Sequence, residues 1–490
     1  MRIHQHHAWW LGLAFGLVGS ALAVPGNVRS GLLDGRYSVS RRSGDWPDFG
    51  KYIHLKTLEW SYFPNTDHLQ DPQWRTKSVD HFGRKDEAER RMIIVGDIHG
   101  MVDSLGDLLH VVKYSPSRDT LIHTGDVTYR GSSSLEVLEF LASHNVSGVR
   151  GNHDQRVVEW RAWIEWILEH EGGLEWLEEE ERRATEDSEL QKKSKNVRGR
   201  FGEPPSLWSD ASKDKWKRIP DNWQIMGEHY QIARNMTATA ASYLFSLPIA
   251  LHIPQLHTFV VHGGILPSDP TEDLMDESQP LAHTPDIDRS DSAGDEDALE
   301  TLRRAQERAL LEDIPQNTNP WVILNMRGVT KENEVTRDGD DPDSTPWSEI
   351  WNSVVSLCNG FGDIEDSTAS SDGLYTSIDH QQVPLQEHLS SESSAGTKKH
   401  IRLPCHPATV VYGHAATRGL DIKRWSKGLD SGCSYGRRLS SLVLTRSGVD
   451  FDVDSNRKEG IETKRTKFGE KDLSVDAHVV SVPCTVSDPE

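Results

Sequence analysis

The chain has 490 residues, enough for one large core or two smaller ones. Its composition, 36% hydrophobic and 27% charged, fits a soluble globular protein with polar inserts. The formal net charge of −22 excludes broad nonspecific binding to nucleic acid or to anionic membranes. It leaves a phosphate-bearing substrate open, because a site needs only local cations or metals.

The N-terminus combines Arg2 with an apolar run over residues 8–24 and an A-L-A at 21–23. This reads as a secretory signal peptide or as a retained signal anchor, and residues 1–25 are assigned to it. Either reading sends the body of the protein into the secretory pathway. Cys358, Cys405, Cys433 and Cys484 lack the paired C-x-x-C spacing of a zinc ribbon. An oxidising lumen permits disulfides, and four cysteines allow three pairings. Sequons stand at Asn145 and Asn235.

Residues 26–90 form a polar lead-in with weak periodicity. From Arg91 the pattern sharpens. An apolar run at 92–95 enters G-D-I-H-G, and Val102, Leu105, Leu108, Leu109 and Val112 then recur at helical spacing. Residues 120–123 enter G-D-V-T-Y-R-G. Leu135, Val137, Leu138 and Leu141 follow as a second helix, and 146–149 enters G-N-H-D. This is a βαβαβ unit, which predicts parallel strands covered by helices, with polar motifs at their carboxyl ends where ligands collect. Residues 158–177 read as part of a long, Trp-rich helical region, and the basic stretch 191–218 as a solvated face and linker. Further strands end in T-F-V-V-H-G-G and A-T-V-V-Y-G-H, with N-P-W-V-I-L-N-M-R-G between them. Inserts are expected at about 155–225, 268–300 and 361–400, the last two as flexible acidic or Ser-rich loops. S-S-L-V-L-T and V-D-F-D-V are expected to form a hairpin across R-S-G, and 456–490 a charged tail. The acidic run at 338–349 has the wrong residues for a calcium loop and reads as a turn.

Asp97, His99, Asp126, Asn152, His153, His262 and His414 all follow apolar strands. Asp97 and His99, two apart in extended backbone, project to one side and can grip one cation. Asn152, His262 and His414 supply ligands for a second, and Asp126 can bridge the two. Cations ~3.5–4 Å apart can clamp a phosphoryl group. Mixed His and carboxylate ligands suit transition metals such as Zn, Mn, Fe or Co rather than Mg. Any one of these residues alone is most simply structural; the ordered set is not. Arg130, in the glycine-bounded G-D-V-T-Y-R-G, can hold an anion.

The ordered motifs G-D-I-H-G, G-D-x-x-x-R-G, G-N-H-D, H-G-G and G-H resemble the calcineurin-like metallophosphoesterases in their phosphoprotein-phosphatase branch. The resemblance implies an α/β fold, a two-layered β-sandwich flanked by helices, with a dinuclear metal site at the strand ends. It implies a catalytic domain over 91–455, with Asp97, His99 and Asp126 on one divalent metal and Asp126, Asn152, His262 and His414 on the other. His153 is implied as the proton donor, and Arg130 and Arg327 as phosphate-binding and catalytic residues. Protein Ser/Thr phosphatases of the branch carry an Asp where this chain has Tyr129, and a Glu where it has Asp154. The chain is more similar to the symmetrical diadenosine tetraphosphatases, which also carry G-N-H-D and an L-D-T-G-C segment like G-L-D-S-G-C here. R-G-N-H-D-Q, L-N-M-R and the N-terminal apolar run further resemble the fungal vacuolar endopolyphosphatases. That resemblance implies inorganic polyphosphate as substrate, a retained membrane anchor and a vacuolar location; a nucleotide or phosphoprotein substrate, a non-catalytic scaffold, or secretion after signal cleavage are the alternatives. No nucleic-acid partner is expected. Tyr129 is expected simply to pack its loop.

Overall fold

A computed structural model describes residues 53–60, 90–191, 223–287, 295–339, 341–361, 401–449, 451–454 and 460–485. The chain divides into Met1–Ser43 and Gly44–Glu490, and all described residues belong to the second unit. The N-terminal apolar run, residues 192–218 of the basic stretch and residues 362–400 of the last insert lie outside them.

Strand β1 (Ile53–Thr57) comes from the lead-in. The βαβαβ unit follows as expected: β2 (Arg91–Val95), α1 (Val102–Val111), β3 (Asp119–His123), α2 (Ser134–Ser143) and β4 (Ser147–Gly148). The three strands pair in parallel. Every residue of β2 is buried, as befits a strand covered on both faces. Its one charge, Arg91, is matched by Asp119 of β3 at 2.7 Å. Helix α1 buries Val102, Leu105, Leu108 and Leu109, the spacing read from sequence.

The Trp-rich segment is helical as expected and forms two helices. Helix α3 (Asn152–Leu168) is separated from α4 (Gly173–Gln191) by a turn at 169–172. Helices α5 (Glu228–Asn235) and α6 (Ala238–Ser246) then lead into β5 (Pro248–Ile253) and β6 (Thr258–Val261). The insert at 268–300 departs from the expected flexible loop. Its described part, 268–287, buries Leu274 and Leu281, and helix α7 (Asp295–Glu312) begins inside the expected insert. These two leucines join an apolar cluster, which offsets the ordering entropy that composition alone could not. Short helices α8 (Pro315–Thr318) and α9 (Pro320–Asn325) precede a three-stranded sheet of β7 (Gly328–Thr330), β8 (Val335–Thr336) and β9 (Ser344–Pro346), then α10 (Trp347–Val355). The acidic run at 338–349 thus ends in a strand and a helix start.

The last strands are β10 (Thr409–Tyr412), β11 (Asp421–Ile422), β12 (Ser426–Gly428), β13 (Arg438–Arg446), β14 (Glu462–Thr466) and β15 (Val475–Pro483). Two expectations are corrected here. Among the described residues, Val449 and residues 451–453 form no strand; β13 pairs instead with β15 on one side and β2 on the other. The interior of β13 is buried throughout, so it requires ladders on both edges. Nor is 456–490 merely a tail: β15 buries Val479, Val480 and Val482 in the sheet.

Two six-stranded sheets result, ordered β1-β5-β6-β10-β12-β11 and β14-β15-β13-β2-β3-β4. Met92, Ile94, Ile122, Leu442 and Val479 of the second share one apolar cluster with Leu251, Val260 and Val411 of the first, so this core lies between the sheets. The other face of the first sheet packs Phe259, Val261 and Val410 against helix residues such as Leu310, Ile323 and Trp351. The expected sandwich flanked by helices is therefore the observed architecture. Of the three cysteine pairings, the structure has Cys358–Cys405 and Cys433–Cys484. No helix among the described residues is long and apolar enough to cross a membrane.

Candidate metal centre

The carboxyl ends of β2, β3, β4, β6 and β10 converge, and each carries one of the motifs. Asp97, His99 and Asp126 bring ligand atoms within 4.8 Å of one another; Asp126, His262 and His414 do the same, and all five residues are buried. Asp126 belongs to both groups, as a carboxylate shared by two cations would. Asn152 Oδ1 lies 3.0 Å from His262 Nε2 and so joins the second group. All six residues singled out as ligands in the sequence are thus brought together.

The histidines are prepared for this arrangement. His262 Nδ1 lies 2.9 Å from the Thr124 carbonyl, and its Nε2 faces Asp126 Oδ2 at 3.4 Å. His99 Nδ1 lies 3.2 Å from the Thr128 carbonyl, and its Nε2 faces Asp126 Oδ2 at 3.8 Å. His414 Nε2 lies 3.1 Å from the Asn325 carbonyl, which leaves Nδ1 as its second donor. A carbonyl can only accept, so each ring donates one N–H outward and can turn a lone pair inward. This is the outer support typical of metal-bound imidazole. Asp97 is oriented by Thr124 Oγ1 at 3.3 Å and by the His414 backbone N–H at 3.0 Å.

The backbone is shaped around the same groups. A Cβ on Gly413 would lie 2.0 Å from Asp97 Oδ1, and one on Gly151 would lie 2.1 Å from Asp126 Oδ1, so glycine is needed for this approach. His99, Asp126, Tyr129, Arg130 and His414 all have positive φ, between 47° and 77°. Left-handed backbone costs non-glycine residues on the order of 1–3 kcal/mol each, and it concentrates at functional sites. Asp154 accepts from the Gly151, Val127 and Thr128 backbone N–H groups and from Thr128 Oγ1 at 2.8 Å. It pins the Asp126 turn to the start of α3.

The electrostatics call for positive charge. Burial pushes the Asp97 carboxyl well up, and the nearby acids Asp430 and Asp126 add to this. Burial also opposes ionisation of Asp126, yet His262, His153 and His99 together hold it well below the usual range. Burial works against charge on His262 too, but Asp126 and Asp97 raise it to about 10. Without a metal, a proton on His262 therefore serves as the cation between the carboxylates. Imidazole nitrogens, carboxylates and one amide oxygen form a donor set that fits Zn, Mn, Fe or Co.

His153 stands beside this cluster. Its backbone N–H donates to Asp126 Oδ1 at 2.9 Å, and its ring is 5.8 Å from that of His99. Its Nδ1 is 2.9 Å from Nε2 of His229, a residue that the sequence did not point to. The Tyr129 ring stacks on both imidazoles, at 4.3 and 3.9 Å with interplanar angles of 16° and 15°. The two imidazole centroids are 5.2 Å apart, too close to lie on opposite faces of Tyr129, so the pair lies side by side on one face. Tyr129 does pack, as expected, but what it packs is the motif histidine. Burial lowers His153 to about 4 and His229 to about 3, so both rings are neutral near pH 7.

At the rim, Arg130 donates to the Tyr435 hydroxyl and lies 4.8 Å from that ring's centroid; Arg437 lies 5.7 Å away. Arg327 donates from Nε to the His414 carbonyl at 3.1 Å, which places it next to a candidate ligand. Glu228 accepts the Arg130 backbone N–H. Glu228, His229, Asp430, Tyr435 and Arg437 were not singled out from sequence. G-L-D-S-G-C-S-Y-G-R holds three of them and was the one visible signal; nothing marked 228–229.

The sequence pattern of the calcineurin-like phosphoesterase family matches residues 90–343. The symmetrical bis(5'-nucleosyl)-tetraphosphatase of Escherichia coli O139:H28 is 48% identical over 63 residues, which are 12% of this chain and 22% of that protein. The Shigella boydii serotype 18 protein of the same description gives the same figures, so the chain spans about a fifth of the length of these relatives. Among solved structures, a putative diadenosine tetraphosphatase aligns over 89% of this chain and all of its own, at 18% identity and a TM-score of 0.38. A Saccharomyces cerevisiae protein serine/threonine phosphatase aligns over 82% of each chain, at 15% identity and a TM-score of 0.28.

Proposed function

The chain belongs to the calcineurin-like phosphoesterase family, and from that premise we propose that it is a phosphoanhydride hydrolase acting on inorganic polyphosphate. Asp97, His99 and Asp126 would hold one divalent transition metal, and Asp126, Asn152, His262 and His414 the second. When bound, such a pair supplies Lewis-acid polarisation of the phosphoryl group and a nucleophile from water at neutral pH. Arg130 and Arg327 hold equatorial phosphate oxygens and neutralise charge that grows in the transition state. His153 faces the leaving oxygen.

One observation carries the choice of substrate. His153 Nδ1 lies 2.9 Å from Nε2 of His229, an imidazole that burial lowers to about 3, where protein phosphatases of this branch are expected to have a carboxylate. A neutral imidazole can donate a hydrogen bond but gives up its proton only with great difficulty. A serine alkoxide needs that proton; a phosphate chain, whose second pKa is about 6, departs without it. Manganese- or zinc-dependent release from long-chain polyphosphate, diadenosine tetraphosphate and a phosphoserine peptide, assayed side by side, tests this. Polyphosphate should be cleaved fastest and the peptide slowest; preference for the peptide would sink the reading. Diadenosine tetraphosphate is the second reading, favoured by the 48% local identity to the symmetrical tetraphosphatases.

The proposed setting is the secretory pathway and the vacuole, with residues 1–25 as the anchor. Two disulfides support an oxidising compartment. The sequon residues Asn145 and Asn235 are exposed and so open to glycosylation. Susceptibility of the native protein to an endoglycosidase, with co-sedimentation in the membrane fraction, checks the setting.

A further inference from the structure

The chain carries 76 acidic and 54 basic side chains, so carboxylate partners are in excess. Arg161, Arg234, Arg303, Arg304 and Arg438 each take one, at 2.7–2.9 Å. At the rim of the candidate metal centre, by contrast, the guanidiniums of Arg130, Arg327 and Arg437 form no ion pair among the described residues. Their hydrogen-bond partners are neutral. Arg130 donates to the Tyr435 hydroxyl, Arg327 to the His414 and Arg337 carbonyls at 3.1 Å, and Arg437 to the Ala416 carbonyl. A guanidinium has more N–H donors than these bonds use, so each of the three keeps some for a ligand.

The three groups are also held close together. Arg327 and Arg437 are tied to carbonyls two residues apart, and two residues of chain span at most about 7 Å. Arg130 and Arg437 lie 4.8 and 5.7 Å from the centroid of one ring, that of Tyr435. Tyr435 and Arg437 are exposed, yet their loop is fixed. Cys433 is joined to Cys484, whose backbone N–H donates to the Arg437 carbonyl at 3.0 Å. A Cβ on Gly432 would lie 2.3 Å from Arg437 Nε, so that glycine, at φ 75°, leaves the guanidinium its place. Fixed like charges repel, and an anion bearing several charges in a row relieves the repulsion.

We propose that Arg437 binds the phosphate next to the one being cleaved, so that the centre grips at least two consecutive phosphates of a linear phosphoanhydride. Arg130 and Arg327 hold the scissile phosphoryl group. Arg437, displaced from them along the 414–416 loop and across Tyr435, takes the neighbour. Guanidinium forks suit phosphate oxygens, and a second fork favours a phosphate chain over a single phosphate ester. This rests on the phosphoanhydride reading above and adds the residue that recognises the second phosphate.

Orthophosphate and tripolyphosphate differ in the feature that Arg437 would read. With the full chain and free manganese held constant, both are measured as competitive inhibitors of 4-nitrophenyl phosphate hydrolysis, or by calorimetric titration where turnover is too slow to follow. Wild type should bind tripolyphosphate at least about tenfold tighter than orthophosphate. Arg437→Gln should cut that ratio about tenfold, as expected for loss of a hydrogen bond to a charged group. The ratio does not depend on the amount of active protein, so partial unfolding cannot imitate the result. Arg438→Gln removes the same charge from the adjacent residue, whose guanidinium is paired with Glu462, and should leave the ratio unchanged. An unchanged ratio in Arg437→Gln overturns the inference, as does an equal fall in Arg438→Gln, which would mark a long-range effect of charge. A wild type that does not distinguish the two anions overturns it even if neither variant folds. Tight tripolyphosphate binding that depends on Arg437, with long-chain polyphosphate left uncut, would remove the polyphosphate reading and retain the role of Arg437.

Discussion

His99, His262 and His414 each rest one ring nitrogen on a backbone carbonyl, whereas His153 rests its own on a side chain 76 residues away. The difference separates two jobs. A carbonyl is present at every residue and can only accept, so it fixes the tautomer of a ligand histidine whatever the local sequence. A side-chain partner can donate or accept and can be exchanged, so the proposed leaving-group side of the centre can be altered while the proposed metal side stays intact. The comparison also explains the charges. The metal side gathers carboxylates that raise His262, while burial keeps the His153 pair neutral.

The sharpest way to break this contrast is at Asp126, the one residue common to both ligand groups. Asp126→Asn should lower metal-dependent kcat/KM at least about 1000-fold, ~4 kcal/mol of transition-state stabilisation. It should also reduce bound metal in elemental analysis of the folded protein. Asn152→Ala and His262→Ala, confined to the second group, should each reduce kcat by about 100-fold and halve the metal content; full activity in both would refute a dinuclear centre.

Protonation tests the charge side of the comparison. The His262 pKa is raised to about 10 in the metal-free protein. Its contribution to stability is therefore fully present below its ordinary value near 6.5, and it is lost as pH rises through about 10. Chemical denaturation of metal-free protein should show stability falling between pH 7 and 10. Metal must displace that proton, so binding should tighten with rising pH over the same window and release about one proton, measurable calorimetrically in buffers of different ionisation enthalpy.

Smaller effects sharpen the contrast further. Thr124→Val removes the hydroxyl that orients Asp97 and should weaken metal binding by about 10-fold, within the usual range for outer-shell partners. Tyr129→Phe retains the stacking face and should change polyphosphate turnover by less than about 3-fold, below ~0.7 kcal/mol. A severe loss in Tyr129→Phe would mean that the hydroxyl, and not only the ring, acts in the reaction.

The legible parts of the chain were those where local pattern and tertiary position coincide. Residues 91–153 read correctly as βαβαβ because each strand is a short apolar run and each motif follows it directly. The candidate ligand set was legible for the same reason, since the strands that end in the motifs pair in parallel within each sheet, β2-β3-β4 in one and β6-β10 in the other, and so end on the same side. The hairpin expected at 440–453 failed because pairing is decided by what lies beside a strand. Arg438–Arg446 found β2 and β15 rather than its sequence neighbour. The expected tail failed likewise: the polar, charged residues of β14 hid the buried valines of β15.

By itself, the order of motifs determined the family and the kinds of atoms that could gather at the strand ends, because those residues are set by chemistry. Only the tertiary structure decided which cysteines pair, which strands are neighbours and what supports His153. These depend on contacts between segments far apart in the chain, and G-E-H-Y at 227–230 carries no local sign that its histidine will lie on the ring of Tyr129. The glycine-bounded turn at 125–131 held Asp126, Tyr129 and Arg130 in plain sight, but folding was needed to bring His229 to the histidine that Tyr129 supports.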